Sequence, residues 1–259
     1  MNTGVSTFSS HQYKDYLTCP RMWAYKQVIP DTDSGVDPHY FIRGQVFSQG
    51  IAAYYEGKSV EEVIAVAENY VLNEGMGLDT DGVADGIFCL ANYIEHYKND
   101  DVYKANVVAV ETEYALPGFE YTQRADLVVR INDRIYFVDH KIYGTFRDDG
   151  AANLAYDFQF VGYALLGLQV FGAKFGGVLV NVIVFDKRRQ TIRFVRDIVP
   201  VTPQTVATWY ATIVTNSRPP KPTTLEECIK FPATLPMMRK GYDFGSCLDC
   251  KFTTLCHGR

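Results

Sequence analysis

Two carboxylates and a lysine carry the central chemical signal of this sequence: Asp126, then Asp139-His140-Lys141. Both groups fall in β-rich runs. Asp139 and Lys141 are two residues apart, so an extended strand turns both side chains to one face and His140 to the other. Carboxylates on adjacent strands can hold a hard divalent cation, Mg²⁺ or Mn²⁺, through oxygen. A lysine beside them can orient a water molecule and stabilise charge on a phosphate. That combination suits phosphodiester hydrolysis, in which the cation activates water and neutralises developing charge. Asp-x-Lys also arises by chance on solvated strand faces, so the motif takes its weight from its surroundings.

The cysteines carry a second signal. Cys247, Cys250 and Cys256 are spaced Cys-x2-Cys-x5-Cys, and Cys19 stands near the other end of the chain in Cys-Pro-Arg. Three thiolates leave a four-iron cluster one ligand short, and Cys19 is the fourth candidate. Zinc is the rival. Structural zinc sites usually pair two short hairpins, and only one is present here, although His257 could add a ligand. Cys89 lies on an apolar helical stripe and reads as core. Cys228 has no partner at ligand spacing, though it could stand in for Cys19.

The elements that must position these residues follow from the apolar pattern. Ser9-Ser10 caps a short helix bearing Tyr13 and Leu17, and Pro20 opens another through Trp23 and Tyr25. A turn-rich loop follows from Asp31 to Pro38. A helix is expected over Tyr40–Tyr55. Ser59 and Glu62 form a capping box for a helix bearing Val63, Val66, Ala67 and Tyr70. Val83, Ile87, Leu90 and Ile94 repeat at helical spacing. Strands are expected over Val107–Leu116, Tyr121–Ile131 and Arg134–Ile142. One long apolar helix is expected over Ala151–Phe171. Val178–Phe185 and Thr191–Ile198 form a hairpin around Lys187-Arg188-Arg189-Gln190. Thr202 caps a further helix to Val214, and Ser217–Gly245 reads as irregular and Pro-rich.

The chain has 259 residues, 47% of them hydrophobic and 14% aromatic, enough for a sizeable core in one large domain. The formal net charge of −5 argues against a bulk basic coat for nucleic acid, but not against a local basic groove. No run of eighteen apolar residues spans a membrane, and the first residues lack a signal-peptide pattern. A reducing, cytoplasmic setting is therefore expected, with the six cysteines serving as ligands or core rather than disulfides. Lys187-Arg188-Arg189 reads either as a charged hairpin turn or as a phosphate contact. Arg147, Lys174 and Arg239-Lys240 are weaker contacts of the same kind. Tyr242, Phe244 and Phe252 could stack on single-stranded bases or shield a cluster.

In order along the chain, these motifs resemble the PD-(D/E)XK nucleases, in the branch that holds the RecB nuclease domain, the CRISPR-associated iron–sulfur nucleases and many phage exonucleases. Ser10, Tyr16 and Cys19-Pro20-Arg21 resemble the branch's opening element. Arg43-Gly44 through Ser48 resembles its Gly-x-x-x-His helix. Val110-Glu111 resembles a Val-Glu strand, and Arg124-Ala125-Asp126 loosely matches the second motif. Val138-Asp139-His140-Lys141 matches Asp-x-Lys, and Gln159 through Tyr163 matches Gln-x-x-x-Tyr. The iron–sulfur members of the branch share the split of one early and three late cysteines.

The resemblance implies a fold and an activity. The fold would be α/β, a restriction-endonuclease-like core with an N-terminal helical region and a C-terminal iron–sulfur cap. The single domain would run over 1–259: helical region 1–105, nuclease core 106–200, and helix plus cysteine cluster 201–259 joined to Cys19. The activity would be metal-dependent cleavage of DNA, as an exonuclease acting on single strands or free ends, with recombination or CRISPR-type protein partners. Asp126, Asp139 and the backbone carbonyl of His140 would bind Mg²⁺ or Mn²⁺. Lys141 would handle the attacking water, and Gln159 and Tyr163 would face the site, although Tyr163 equally suits core packing. Cys19, Cys247, Cys250 and Cys256 would hold a [4Fe-4S] cluster. One departure stands out, because Ser48 occupies the position of the branch's metal-binding histidine. Gln45 or Gln49 could compensate. Otherwise the chain would be a weakened or inactive DNA-binding member, and a zinc-stabilised interaction domain is the further alternative.

Overall fold

The computed structural model describes residues 8–29, 38–73, 80–147, 150–215, 221–233, 250–252 and 255–256. Cys247 and His257, the 31–37 loop, most of the 217–245 stretch, Arg239-Lys240, Tyr242 and Phe244 lie outside these residues.

The chain opens with a two-residue strand, β1 (Phe8–Ser9), and the short helices α1 (Ser10–Thr18) and α2 (Pro20–Val28). Ser9 and Gln12 close a reciprocal capping box at the start of α1. Three longer helices follow, α3 (Pro38–Tyr55), α4 (Val60–Asn73) and α5 (Thr80–Tyr97). The sheet then forms from β2 (Val107–Ala115), β3 (Tyr121–Ile131) and β4 (Arg134–Tyr143). After helices α6 (Gly150–Leu154) and α7 (Phe158–Phe171) come β5 (Phe175–Asp186) and β6 (Thr191–Val199). Helices α8 (Pro203–Thr215) and α9 (Leu225–Lys230) complete the described elements. No helix among the described residues is long and apolar enough to cross a membrane.

The sheet is mixed. Neighbouring strands run β1-β3-β4-β5-β6, with β2 on the other edge of β3. The β3–β4 pair is antiparallel, and its register ends at Leu127 with Val138. The β4–β5 pair is parallel, and α7 belongs to the crossover between those strands. Period-2 alternation divides the core. From β4 and β5, Phe137, Val178, Val180 and Val182 face a cluster with α1, α2, α7 and α8. Val138, Ile183 and Phe185 face α3 and α5 on the opposite side. With both faces covered, the central strands read as nearly continuous apolar runs.

Three expectations change. The long helix expected over Ala151–Phe171 is two helices, because Asp157 adopts an extended backbone and caps α7 through the Gln159 amide. The break leaves Tyr156 79% exposed. Within the stretch read as irregular, Thr224 caps the short α9. β1 is too short to leave a periodic signal. Helix α7 itself lies close on the sheet. A Cβ at Gly162 would collide with the Tyr121 hydroxyl and the Gln123 amide, and one at Gly167 with the Phe175 ring.

Candidate active site

Asp126 and Asp139 come together where β3 and β4 diverge. Beyond Leu127 and Val138 the strands no longer pair, and the Asp126 carboxylate instead accepts the His140 backbone N–H at 2.9 Å. Asp139 is fully buried and Lys141 half-buried. The Lys141 ammonium lies 3.0 Å from Asp139 Oδ2, so the motif's two side chains do share a face.

Helix α7 supplies the second half of the arrangement. The Gln159 amide donates to Asp139 Oδ1 at 2.8 Å and to the Tyr163 hydroxyl at 3.0 Å, and its Oε1 accepts Lys141 at 2.8 Å. Tyr163 donates to the Arg124 carbonyl at 2.8 Å and lies 3.4 Å from Asp139 Oδ1. The four-residue spacing puts both side chains on one face of the helix. Tyr163 therefore both packs in the core and meets the site. The Asp157 cap fixes the first turn of α7, from which Gln159 reaches out.

Electrostatics follow from burial and proximity. Burial, together with the charge of Asp126, pushes the Asp139 carboxyl up to about 6, against the pull of Lys141. Burial would also raise Asp126, but contacts with His140 and the Lys141 charge outweigh it and hold the group below its ordinary value. The His140 Nδ1 stands 3.6 Å from Asp126, beyond hydrogen-bond reach, so the backbone amide makes the close contact. Burial opposes the charge on Lys141, yet the two carboxylates raise its pKa above the usual lysine value. Tyr163 is raised well above its ordinary value by burial and by Asp139, and it stays a neutral donor.

The His140 ring lies on the strand face opposite Asp139 and Lys141, as the alternation requires. It is buried between the rings of Phe47, Tyr55 and Tyr93, with neither nitrogen hydrogen-bonded. Its main chain makes the hydrogen bond to the acidic pair, and its Nδ1 stays 3.6 Å from Asp126.

A cleft of about 460 Å³ opens over these groups, and its walls include Gly44, Ser48, Asp126, Lys141 and Tyr143. Ser48 thus reaches the same cleft as Asp126. Gln45 and Gln49 do not line it, and Gln45 accepts a hydrogen bond from Tyr70 at 3.2 Å. Glu111 also belongs here. In the β2–β3 register it falls opposite Asp126, between the pairs Val110 with Leu127 and Thr112 with Ala125. It takes a left-handed φ of +45° and pairs with Arg124 at 2.9 Å. Burial and the Asp126 charge raise its carboxyl. Sequence reading placed Glu111 on a strand but missed its position opposite Asp126; only the register shows it. Arg43, on the same cleft wall, had no sequence signal beyond its place in the Arg-Gly dipeptide.

The described tail residues pack on α2. Arg21 donates to the carbonyls of Phe231 at 2.9 Å and Ile229 at 3.1 Å, and its Nη1 lies 3.6 Å from Cys256 Sγ. The Tyr25 hydroxyl donates to the Leu255 carbonyl at 3.5 Å. Cys19, Cys250 and Cys256 are half-buried. Cys228 and Cys89 are fully buried, and burial raises both thiols. Among the described residues no three or more of His, Cys, Asp or Glu lie close enough to hold a metal ion. Lys187-Arg188-Arg189 does form the expected turn, its amides capped by Asp186.

Comparison with known proteins agrees with this architecture. The family profile of the PD-(D/E)XK nuclease superfamily matches residues 7–257. Among solved structures, the chain is similar to a "Putative exonuclease" from Eubacterium rectale, at TM-score 0.52 and 15% identity, over 81% of this chain and 78% of that one. A weaker likeness, TM-score 0.30 at 15% identity, is to the structure of SSO0001, over 83% of this chain and 84% of that one. No curated protein sequence matches.

Proposed function

The chain belongs to the PD-(D/E)XK nuclease superfamily, and from that premise we propose that it is a metal-dependent deoxyribonuclease acting on single strands or free ends. One observation carries the reading: Asp126 and Lys141 line one cleft, Asp139 lies buried 3.0 Å behind Lys141, and Gln159 bonds to both Asp139 and Lys141.

The residues fit a hard cation. Both carboxylates are oxygen donors, as Mg²⁺ and Mn²⁺ require. Asp139 Oδ2 is buried without a hydrogen-bond partner among the described residues, and the Lys141 ammonium lies 3.0 Å from it. Asp126, Asp139 and the His140 carbonyl would hold the ion. When bound, a divalent cation supplies charge neutralisation and a water of lowered pKa. The protein does the rest. Gln159 and Tyr163 fix the orientation of Asp139. Lys141 holds its proton and offers N–H donors to the attacking water or to a phosphate oxygen. The bond from His140 leaves one Asp126 oxygen free.

A [4Fe-4S] cluster on Cys19, Cys247, Cys250 and Cys256 is part of the proposal. Its support is the docking of the Cys250–Cys256 tail on α2, immediately after Cys19. Thiolates suit iron, and such a cluster would staple the two ends of the chain together. The exonuclease preference rests on the motif resemblance, as do recombination or CRISPR-type partners.

A second reading, a DNA-binding member that does not cut, is favoured by Ser48 on the cleft wall in place of an imidazole. Incubating labelled single-stranded and duplex DNA with Mn²⁺, with and without a chelator, tests the proposal. Chelator-sensitive digestion is the expected result. Binding without digestion at any metal concentration selects the second reading.

A further inference from the structure

Beside the catalytic cleft lies a second and larger cavity of about 680 Å³. Its walls include His39, Phe185, Lys187 and Arg188, and it shares Tyr40, Arg43, Tyr143 and Gly144 with the cleft. The two spaces are therefore neighbours, separated by a partition in which Arg43 is the charged member.

Arg43 is unusual in its surroundings. It is only 5% exposed, its Nε has no hydrogen-bond partner, and no described carboxylate forms an ion pair with it. Its guanidinium instead lies over the Tyr40 ring, 4.9 Å from the centroid, and 6.0 Å from that of Phe185. The nearby Asp85 is already engaged, by His39 at 2.9 Å and Lys187 at 3.3 Å. Lys187 in turn also meets Asp81 at 3.3 Å. Asp186 pairs with Arg189 and caps the turn. Arg188 forms no ion pair among the described residues and stands exposed at the rim. A buried charge without a partner is costly unless an anion completes it. A guanidinium held over aromatic rings can still offer its N–H fork to one, and phosphate fits that fork in bidentate fashion.

We propose that Arg43 is a phosphate-binding residue, and that the second cavity holds the phosphodiester next to the one being cut, with Arg188 at its outer rim. The inference rests on the nuclease reading and deepens it, by giving the strand a direction across the protein: from the acidic pair, past Arg43, toward the β5–β6 turn. The subsite would read backbone charge rather than base identity.

A binding cycle tests this without requiring cleavage. The probes are a fluorescent single-stranded oligonucleotide and copies carrying one neutral methylphosphonate linkage, moved stepwise along the strand. They are titrated by anisotropy against the wild-type chain and Arg43→Gln, with Ca²⁺ in place of Mn²⁺. In wild type, one linkage position should weaken binding about tenfold when neutralised. Arg43→Gln should bind the unmodified strand about tenfold more weakly and lose nothing further at that position. Arg188→Gln, an exposed change that spares the fold if Arg43→Gln does not, should lower the slope of log affinity against log salt by about one. Equal methylphosphonate effects in wild type and Arg43→Gln would overturn the proposal, as would an unchanged salt slope in Arg188→Gln. Failure of the nuclease reading has its own signature, since wild type would then leave the same oligonucleotide undigested in Mn²⁺ whatever the binding cycle shows.

Discussion

The His140 backbone amide donates to the Asp126 carboxylate at 2.9 Å, just past the last pair of the β3–β4 ladder. A side chain thus takes over from the main chain where the strands separate. The separation makes room for the cleft, and the bond sets the angle at which Asp126 enters it. Position and chemistry are coupled through one contact.

Removing the charge of Asp139 should abolish cleavage. Asp139 is fully buried, so Asp139→Asn, which keeps the shape, is a cleaner change than Asp139→Ala. Asp139→Asn and Lys141→Ala should each cut DNA at least about a hundredfold more slowly, the scale seen when an electrostatic contact to the transition state is lost. Single-turnover digestion, with circular dichroism to check the fold, measures this. Wild-type rates in both variants would place the chemistry elsewhere.

Metal binding should depend on pH through Asp139. Its carboxyl, pushed up to about 6 mainly by burial, keeps a proton in the folded chain that the unfolded chain releases near its ordinary value of about 4. Between about pH 4 and 6 the folded state binds more protons, so the stability of the metal-free protein falls as pH rises through that window. A cation needs the ionised form, so Mn²⁺ affinity should drop about tenfold per unit below pH 6. Calorimetry from pH 5 to 7 reads the slope, and Asp139→Asn should flatten it along with the loss in thermal stability between pH 4 and 6. A flat affinity in the wild-type chain would mean that Asp139 is no ligand.

Cys19→Ser should lose as much iron as Cys250→Ser, although 231 positions separate the two. Iron and sulfide analysis of anaerobically purified protein, with its visible spectrum, decides this. Full iron in Cys19→Ser would remove it as a ligand and direct attention to the buried Cys228. Stoichiometric zinc in a colourless protein would replace the cluster with a zinc site.

Ser48→His should tighten Mn²⁺ binding and raise the rate at low metal. Ser48 lines the cleft that contains Asp126, and imidazole suits transition metals better than a hydroxyl does. With serine, the site offers few protein ligands, and cleavage should need metal at roughly millimolar levels, typical of weak oxygen-ligand sites. Unchanged affinity in Ser48→His would mean that residue 48 does not reach the ion.

What the sequence showed and what it withheld have different physical origins. The Asp139–Lys141 face, the placement of His140 on the opposite face and the shared face of Gln159 and Tyr163 follow from fixed periods of 2 and 3.6, so spacing alone predicts them. The break before α7 was missed because an apolar run hid the cap at Asp157, whose backbone leaves the helix for one residue. Glu111 opposite Asp126 depends on strand register across β2 and β3, which no local pattern encodes. Arg43 depends on what surrounds it, including Phe185 on β5, 142 positions further along the chain. The superfamily membership expected from ordered motifs is shown by the profile match over 7–257.

The grip of Arg21 on the carbonyls of Ile229 and Phe231 has a consequence for how the molecule is made. Helix α2 leaves the ribosome about two hundred residues ahead of these partners, some ten to forty seconds at ordinary translation rates. Through that interval the face of Trp23 that packs on Phe231 stays uncovered. Contacts of such long sequence separation slow folding, because closing the intervening loop costs entropy before any contact repays it. Docking of residues 229–231 on α2 thus joins surfaces made far apart in time, and release of the chain before they emerge would leave that apolar surface open to aggregation.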